Sequence, residues 1–88
     1  MATPVKSDTM NLLIVSPDEV IFEDTITRII APGIFQEIAI LPDHTPLFAQ
    51  LVNGTIQINL PDLTTKTFDI EGGILRVKSN KVSVIIGF

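Results

Sequence analysis

The stretch TIQINL, Thr55 to Leu60, alternates polar and apolar residues at every position. Successive side chains of a strand leave on opposite faces, so Ile56, Ile58 and Leu60 point one way and Thr55, Gln57 and Asn59 the other. The same period recurs in KVSVII, where Val82, Val84 and Ile86 share a face, and in KTFDI, where Phe68 and Ile70 do. These read as strands with one wet face. NLLIV (Asn11–Val15) lacks the alternation and fits either a strand covered on both faces or the start of a helix too short to hold itself together. Ser16-Pro17, directly after it, favours the strand.

Between the apolar runs stand residues that tolerate turn dihedrals: Pro32-Gly33, Asn53-Gly54, Leu60-Pro61-Asp62, Gly72-Gly73 and Ser79-Asn80. Gly33, Pro42, Gly54, Gly72 and Gly73 are therefore expected at structural turns. No segment sustains a helical period. The pattern predicts an all-β domain over residues 11–88, a two-sheet β-sandwich or flattened barrel of about ten short, mostly antiparallel strands. Residues 1–10 are polar and irregular and are expected to form a flexible arm. Ile14, Ile29, Ile40, Ile56, Ile58, Phe68, Leu75, Val82 and Val84 are the expected core.

The chain's 88 residues, 45% of them hydrophobic, suit one domain with one core. With no cysteine, neither a disulfide framework nor a thiolate metal site supports that core. A net charge of -4, with six basic residues scattered along the chain, argues against nucleic-acid binding, which needs concentrated positive surface. No apolar run approaches the ~20 residues that cross a bilayer, and MATPVKSDTM lacks the hydrophobic core of a signal peptide.

The single histidine, His44, lies in ILPDHTPLF, Ile40 to Phe48. A metal site would have to take its remaining ligands from carboxylates alone, and no nucleophile elbow of the G-x-S-x-G kind accompanies the histidine. Neither a metal nor a catalytic role is indicated. The paired carboxylates of PDEV and FED fall at strand ends, where solvated charge is ordinary, and Gly72-Gly73 is followed by neither a helix pattern nor a phosphate-binding Lys-Ser/Thr. No cofactor is expected.

In their order along the chain, LLIVSPDEVIFED, ITRIIAPG, QEIAILPDHTPLFAQLVNGTIQI and FDIEGGILRVKSNKVSVI resemble the amino-terminal β-sandwich domain of the epsilon subunit of the F-type ATP synthase. The central block is the most specific, since the family typically reads G-E-L-G-I, an apolar residue, then P-G-H-x-P-L-L. Gln36, Ala39 and Asp43 replace common glycines of that pattern, and Phe35 stands at an often acidic position. The departures concentrate on the edge from Phe35 to His44.

The resemblance implies a noncatalytic part of a rotary motor, a stiff body at the foot of the central stalk. Such a body docks on the gamma subunit, rests on the c-ring and couples proton- or sodium-driven rotation to ATP synthesis. By that resemblance His44, Thr45, Leu47, Phe48 and Ala49 are the expected gamma contacts, stiffened by Pro42 and Pro46. One of Leu47 and Phe48 must face the core. An alternative for His44 is a turn cap made through a local hydrogen bond. Phe35, Gln36 and Glu37 are the expected c-ring contacts, with Glu37 facing an arginine of the ring loops; the alternative is an ordinary exposed strand charge.

The resemblance also implies peripheral attachment, only through the complex, on the cytoplasmic face of an energy-transducing membrane. Weak self-association of the isolated chain through its docking surface is allowed. Many family members continue into an inhibitory two-helix hairpin; SVIIGF ends this sequence, so the expectation is docking without inhibition and without an ATP site. Two other classes are weighed: a lipoyl or biotinyl carrier displaying Lys66 on a hairpin, and a carbohydrate- or peptide-binding sandwich. Lys66 lacks the acidic and methionine neighbours of a carrier, and the chain has no Trp or Tyr for a sugar platform.

Overall fold

The structure, a computed structural model, describes residues 8–87. Seven strands follow one another: β1 (Met10–Val15), β2 (Val20–Ile26), β3 (Arg28–Pro32), β4 (Glu37–Ile40), β5 (Leu47–Asn59), β6 (Thr65–Lys78) and β7 (Lys81–Ile86). There are fewer than the expected ten or so because two of the expected turns lie inside strands. Asn53-Gly54 falls within β5 and Gly72-Gly73 within β6, and the two strands pair across them, Val52 with Gly72 and Gly54 with Ile70.

Glycine at these places answers close approach of neighbouring strands. A Cβ on Gly54 would lie 2.9 Å from the Cβ of Pro32, and one on Gly73 would lie 2.5 Å from the carbonyl oxygen of Ile85. Gly72 also takes a φ of 148°, which side-chain-bearing residues rarely adopt. Gly33 and Pro42 do lie in connections, the first after β3 and the second between β4 and β5.

All seven strands hydrogen-bond into one sheet, in the order β2-β1-β7-β6-β5-β3-β4. The pairings are antiparallel except β1 with β7. The two expected sheets are thus two layers of one. The long β5–β6 hairpin belongs to both: Gly73–Lys78 pairs with β7, whereas Asn59, Ile58 and Gln57 pair with β3. A flat sheet would hold β2 and β6, three places apart, about 14 Å from each other. Instead the rings of Phe22 on β2 and Phe68 on β6 meet edge to face with centroids 5.7 Å apart. The sheet has closed over, as a flattened sandwich requires.

One apolar cluster fills the fold and draws residues from every strand. Ile14, Ile29, Ile40, Ile56, Ile58, Leu75, Val82 and Val84 are buried as expected. Phe68 is a correction: it is only half-buried, packing against the core from the mouth of the sandwich beside Phe22. Met10, Leu12, Ile26, Ala31, Leu51, Ile70 and Val77 complete the cluster. Met10 moves the start of the folded body into the expected arm; residues 1–7 of that arm, and Phe88, lie outside the described residues. NLLIV is a strand whose second face is half-covered: Leu12 and Ile14 are buried, Leu13 and Val15 partly so.

The β5–β6 connection is closed by hydrogen bonds from Leu63 N to Leu60 O at 3.0 Å and from Leu60 N to Thr64 O at 2.9 Å. The Asp62 carboxylate accepts from both the hydroxyl and the backbone N–H of Thr64, which hold its pKa below the ordinary carboxylate value. Leu63 sits at φ 72° with 94% of its surface exposed, a left-handed position with no packing to compensate. Leu63→Gly removes that strain against a larger entropy loss on folding, and we expect a net gain of about 0.5–1 kcal/mol. A higher urea midpoint at unchanged m-value is the expected readout; a lower midpoint contradicts it.

Candidate functional site

The connection from β4 to β5 begins with a turn over Leu41-Pro42-Asp43-His44, closed by His44 N donating to Leu41 O at 3.2 Å. Proline presets the second residue, and the third, Asp43, takes a φ of 63°. That combination is a type II turn, which ordinarily carries glycine at the third place. Aspartate tolerates the left-handed region better than most side chains. The Asp43 N–H donates to Asn80 Oδ1 at 2.9 Å, which ties the turn to the β6–β7 hairpin.

His44 is half-buried, and its Nδ1 lies 2.6 Å from the carbonyl oxygen of Thr45. A carbonyl only accepts, so Nδ1 carries the proton and, in the neutral ring, Nε2 is left as an acceptor. The local bond considered for His44 is therefore present, and it aims the ring without consuming Nε2. Among the described residues, no group of three or more His, Asp or Glu side chains could hold a metal ion.

The first residues of β5 divide between inside and outside. Leu47 packs against the core, whereas Phe48 is 71% exposed. Of the pair, Phe48 is the one available to a partner. Ala49 is half-buried and Thr45 exposed. Across from this segment the β3–β4 connection, from Gly33 to Gln36, is pinned to β5 by Ile34 N donating to Gln50 O at 3.0 Å. Its tip carries Phe35, 96% exposed, with Gln36 and Glu37 exposed beside it.

The two clusters assigned by resemblance to different partners thus line one groove of about 660 Å³, Phe35, Gln36 and Glu37 together with His44, Leu47, Phe48 and Ala49. Thr45 and Pro42 stand outside it. Phe48 and Gln50 also line a second hollow of about 760 Å³, with Val52, Ile74 and the Gly72-Gly73 pair. Solvent-facing aromatic surface on this scale is what a small domain offers a partner. Electrostatically the surroundings are mixed. Glu37 marks one rim, while Arg76 pairs directly across from Phe48 and Lys78 stands opposite Lys81.

Sequence reasoning missed Ile34, Ile38 and Gln50 on the groove and Asn80 behind its loop. The period of Leu47-Ala49-Leu51 carries a signal for the outward face: with those residues inward, Phe48, Gln50 and Val52 must face out. Lys66 does not sit where a carrier lysine would. It pairs with Ile58 inside β6, with its Nζ 5.7 Å from the centre of the Phe22 ring, and is not at the hairpin tip.

Residues 9–87 match the family model described as the β-sandwich domain of the ATP synthase Delta/Epsilon chain. The chain is 36% identical over 72 residues to the ATP synthase epsilon chain of Chlorobium limicola, covering 82% of each. It is 35% identical over 85 residues to that of Chlorobaculum tepidum, covering 97% of this chain and 94% of the relative. The fold is similar to a chain in the mitochondrial ATP synthase structure of Euglena gracilis, with a TM-score of 0.85 at 19% identity, over 98% of this chain and 59% of that one.

Proposed function

Because this chain belongs to the ATP synthase epsilon chain family, a noncatalytic subunit of that complex, we propose that it couples ion-driven rotation to ATP synthesis from the central stalk. The loop carrying His44 and Thr45, with Phe48 at the start of β5, seats on the gamma subunit, and the tip carrying Phe35, Gln36 and Glu37 meets the polar loops of the c-ring. The observation that carries this reading is the pair of exposed aromatic residues, Phe48 and Phe35, that line one groove. Phe48 stands on β5 and Phe35 on the short β3–β4 connection that Ile34 N pins to Gln50 O, and an exposed ring on a preorganised frame binds at low entropic cost.

Torque transmission needs a body that does not yield. A core drawn from all seven strands, with no buried polar or charged side chain among the described residues, supplies that stiffness. Among the described residues no helix is long and apolar enough to cross a membrane. In this reading the subunit meets the membrane only through the complex, on its cytoplasmic face.

Titration of the chain with recombinant gamma subunit tests the proposal: saturable one-to-one binding supports it, and no binding at micromolar concentrations contradicts it. The ring contact has its own test. Glu37→Lys turns an attraction to an arginine loop into a repulsion, a surface effect of about 1 kcal/mol or about fivefold in ring affinity. In the assembled enzyme, ATP made per ion translocated should fall. Unchanged coupling makes Glu37 an ordinary surface charge.

A further inference from the structure

Both central residues of the β6–β7 hairpin, Ser79 and Asn80, have positive φ, 51° and 62°. A two-residue hairpin with that signature favours glycine, above all at the second place. This chain has Asn80 there, and both polar atoms of its side-chain amide are hydrogen-bonded. Its Oδ1 accepts from Asp43 N at 2.9 Å, and its Nδ2 donates to Thr9 O at 2.8 Å. Its backbone carbonyl accepts from Asn11 N at 3.2 Å. The amide orientation follows from the partners, since a backbone N–H only donates and a carbonyl only accepts.

Three segments distant in sequence therefore meet at one side chain: the turn of the His44 loop, the hairpin and the start of β1. Of glycine, aspartate and asparagine, the residues that most readily take a left-handed backbone, asparagine alone supplies a donor and an acceptor on separate atoms. Glycine has no side chain to offer, and ionised aspartate only accepts. The stretch from Leu41 to Pro46 otherwise lies outside the sheet ladder.

We propose that Asn80 is a positioning residue that latches the His44 loop in its docking conformation by holding the Asp43 N–H. It acts through the turn and touches no partner itself. This rests on the reading of the His44 loop as the gamma-docking element. If the latch is lost, the loop samples other conformations, and the apparent affinity drops by the fraction of time the docking form is absent.

Asn80→Gly is the first test, because it keeps the positive φ at no steric cost and deletes the side-chain amide together with its bonds to Asp43 and Thr9. We expect the Asp43 amide proton to exchange about five- to tenfold faster and gamma to bind weaker by a similar factor, as loss of one net hydrogen bond implies. Both amide bonds are lost, so the urea midpoint should fall slightly, and the core amides of Val82 and Val84 should exchange faster only by the factor that this fall accounts for, less than the change at Asp43. Asn80→Asp, which keeps the acceptor, should retain part of the Asp43 protection. Three results overturn the proposal. They are unchanged Asp43 exchange, unchanged gamma affinity despite faster exchange, and a fall in global stability that accounts for the whole binding loss. Failure of the docking reading is separable: in that case His44→Glu with Phe48→Ala leaves gamma binding intact, whatever Asn80 does.

Discussion

Leu75→Ala should lower the unfolding free energy by about 2–5 kcal/mol. Leu75 is fully buried and sits on β6, near the middle of the sheet, paired with Ala49 on one side and Val84 on the other. Removing its branched end forfeits transfer free energy and leaves a cavity that hydrogen-bonded strands on both flanks cannot close. A domain of this size has a total stability of about 5–15 kcal/mol, with the lower end expected for so few residues, so the variant stands close to unfolding. Without a cysteine in the chain, no disulfide makes up the difference. Ile85→Ala on the adjoining strand is the control: Ile85 is 45% exposed, and its truncation should cost under about 1 kcal/mol. Urea unfolding of both variants measures the contrast. Equal losses would mean that the core has been assigned to the wrong face.

The second large effect is on binding. His44→Glu combined with Phe48→Ala should weaken the complex with gamma by about 2–4 kcal/mol, roughly 30- to 1000-fold, while leaving the thermal midpoint nearly unchanged. Phe48 contributes because an aromatic ring that is 71% exposed in the free chain has most of its surface left to bury. The histidine contributes through geometry. Nδ1 bound to Thr45 O fixes where the half-buried ring sits, and a glutamate there loses that bond, replaces the ring by a flexible chain and brings a charge that must be desolvated when the loop is covered. Neither residue supports the core, so stability and affinity should separate. Titration calorimetry on the double variant, checked against its melting curve, reads both. Retained affinity would move the docking face elsewhere.

The sequence carried the fold where one face of a strand is wet. TIQINL and KVSVII alternate because water covers one side of each strand, and their inward residues were identified without error. NLLIV hid its period because its second face is half-covered, so Leu13 and Val15 stay apolar while Leu12 and Ile14 are buried. Turn residues misled wherever glycine answered crowding and not curvature. Gly54 faces Pro32 and Gly73 faces the Ile85 carbonyl, and neither contact can be read from neighbours in sequence. That is why two strands of 13 and 14 residues were read as four short ones.

The candidate site was legible only in pieces. Pro42 and Pro46 framed His44, and the resemblance supplied Phe35, Gln36 and Glu37. The meeting of the two segments in one groove depends on β4 and β5 both pairing with β3, a tertiary fact. The choice between Leu47 and Phe48 depended on the same packing. Asn80 was read as a turn residue alone, since its contacts with Asp43 and Thr9 join segments 37 and 71 residues away.

The central claim, that the His44 loop faces gamma, is tested most directly by site-directed cross-linking in the assembled ATP synthase. The chain has no cysteine, so Thr45→Cys and Leu63→Cys each introduce a single attachment point for a short photoreactive linker. Both positions are exposed, and they stand beyond opposite ends of the long strand β5. A cross-link from position 45 to the gamma subunit, and none from position 63, is the expected result. A gamma adduct from position 63, with position 45 left unreacted, would contradict it.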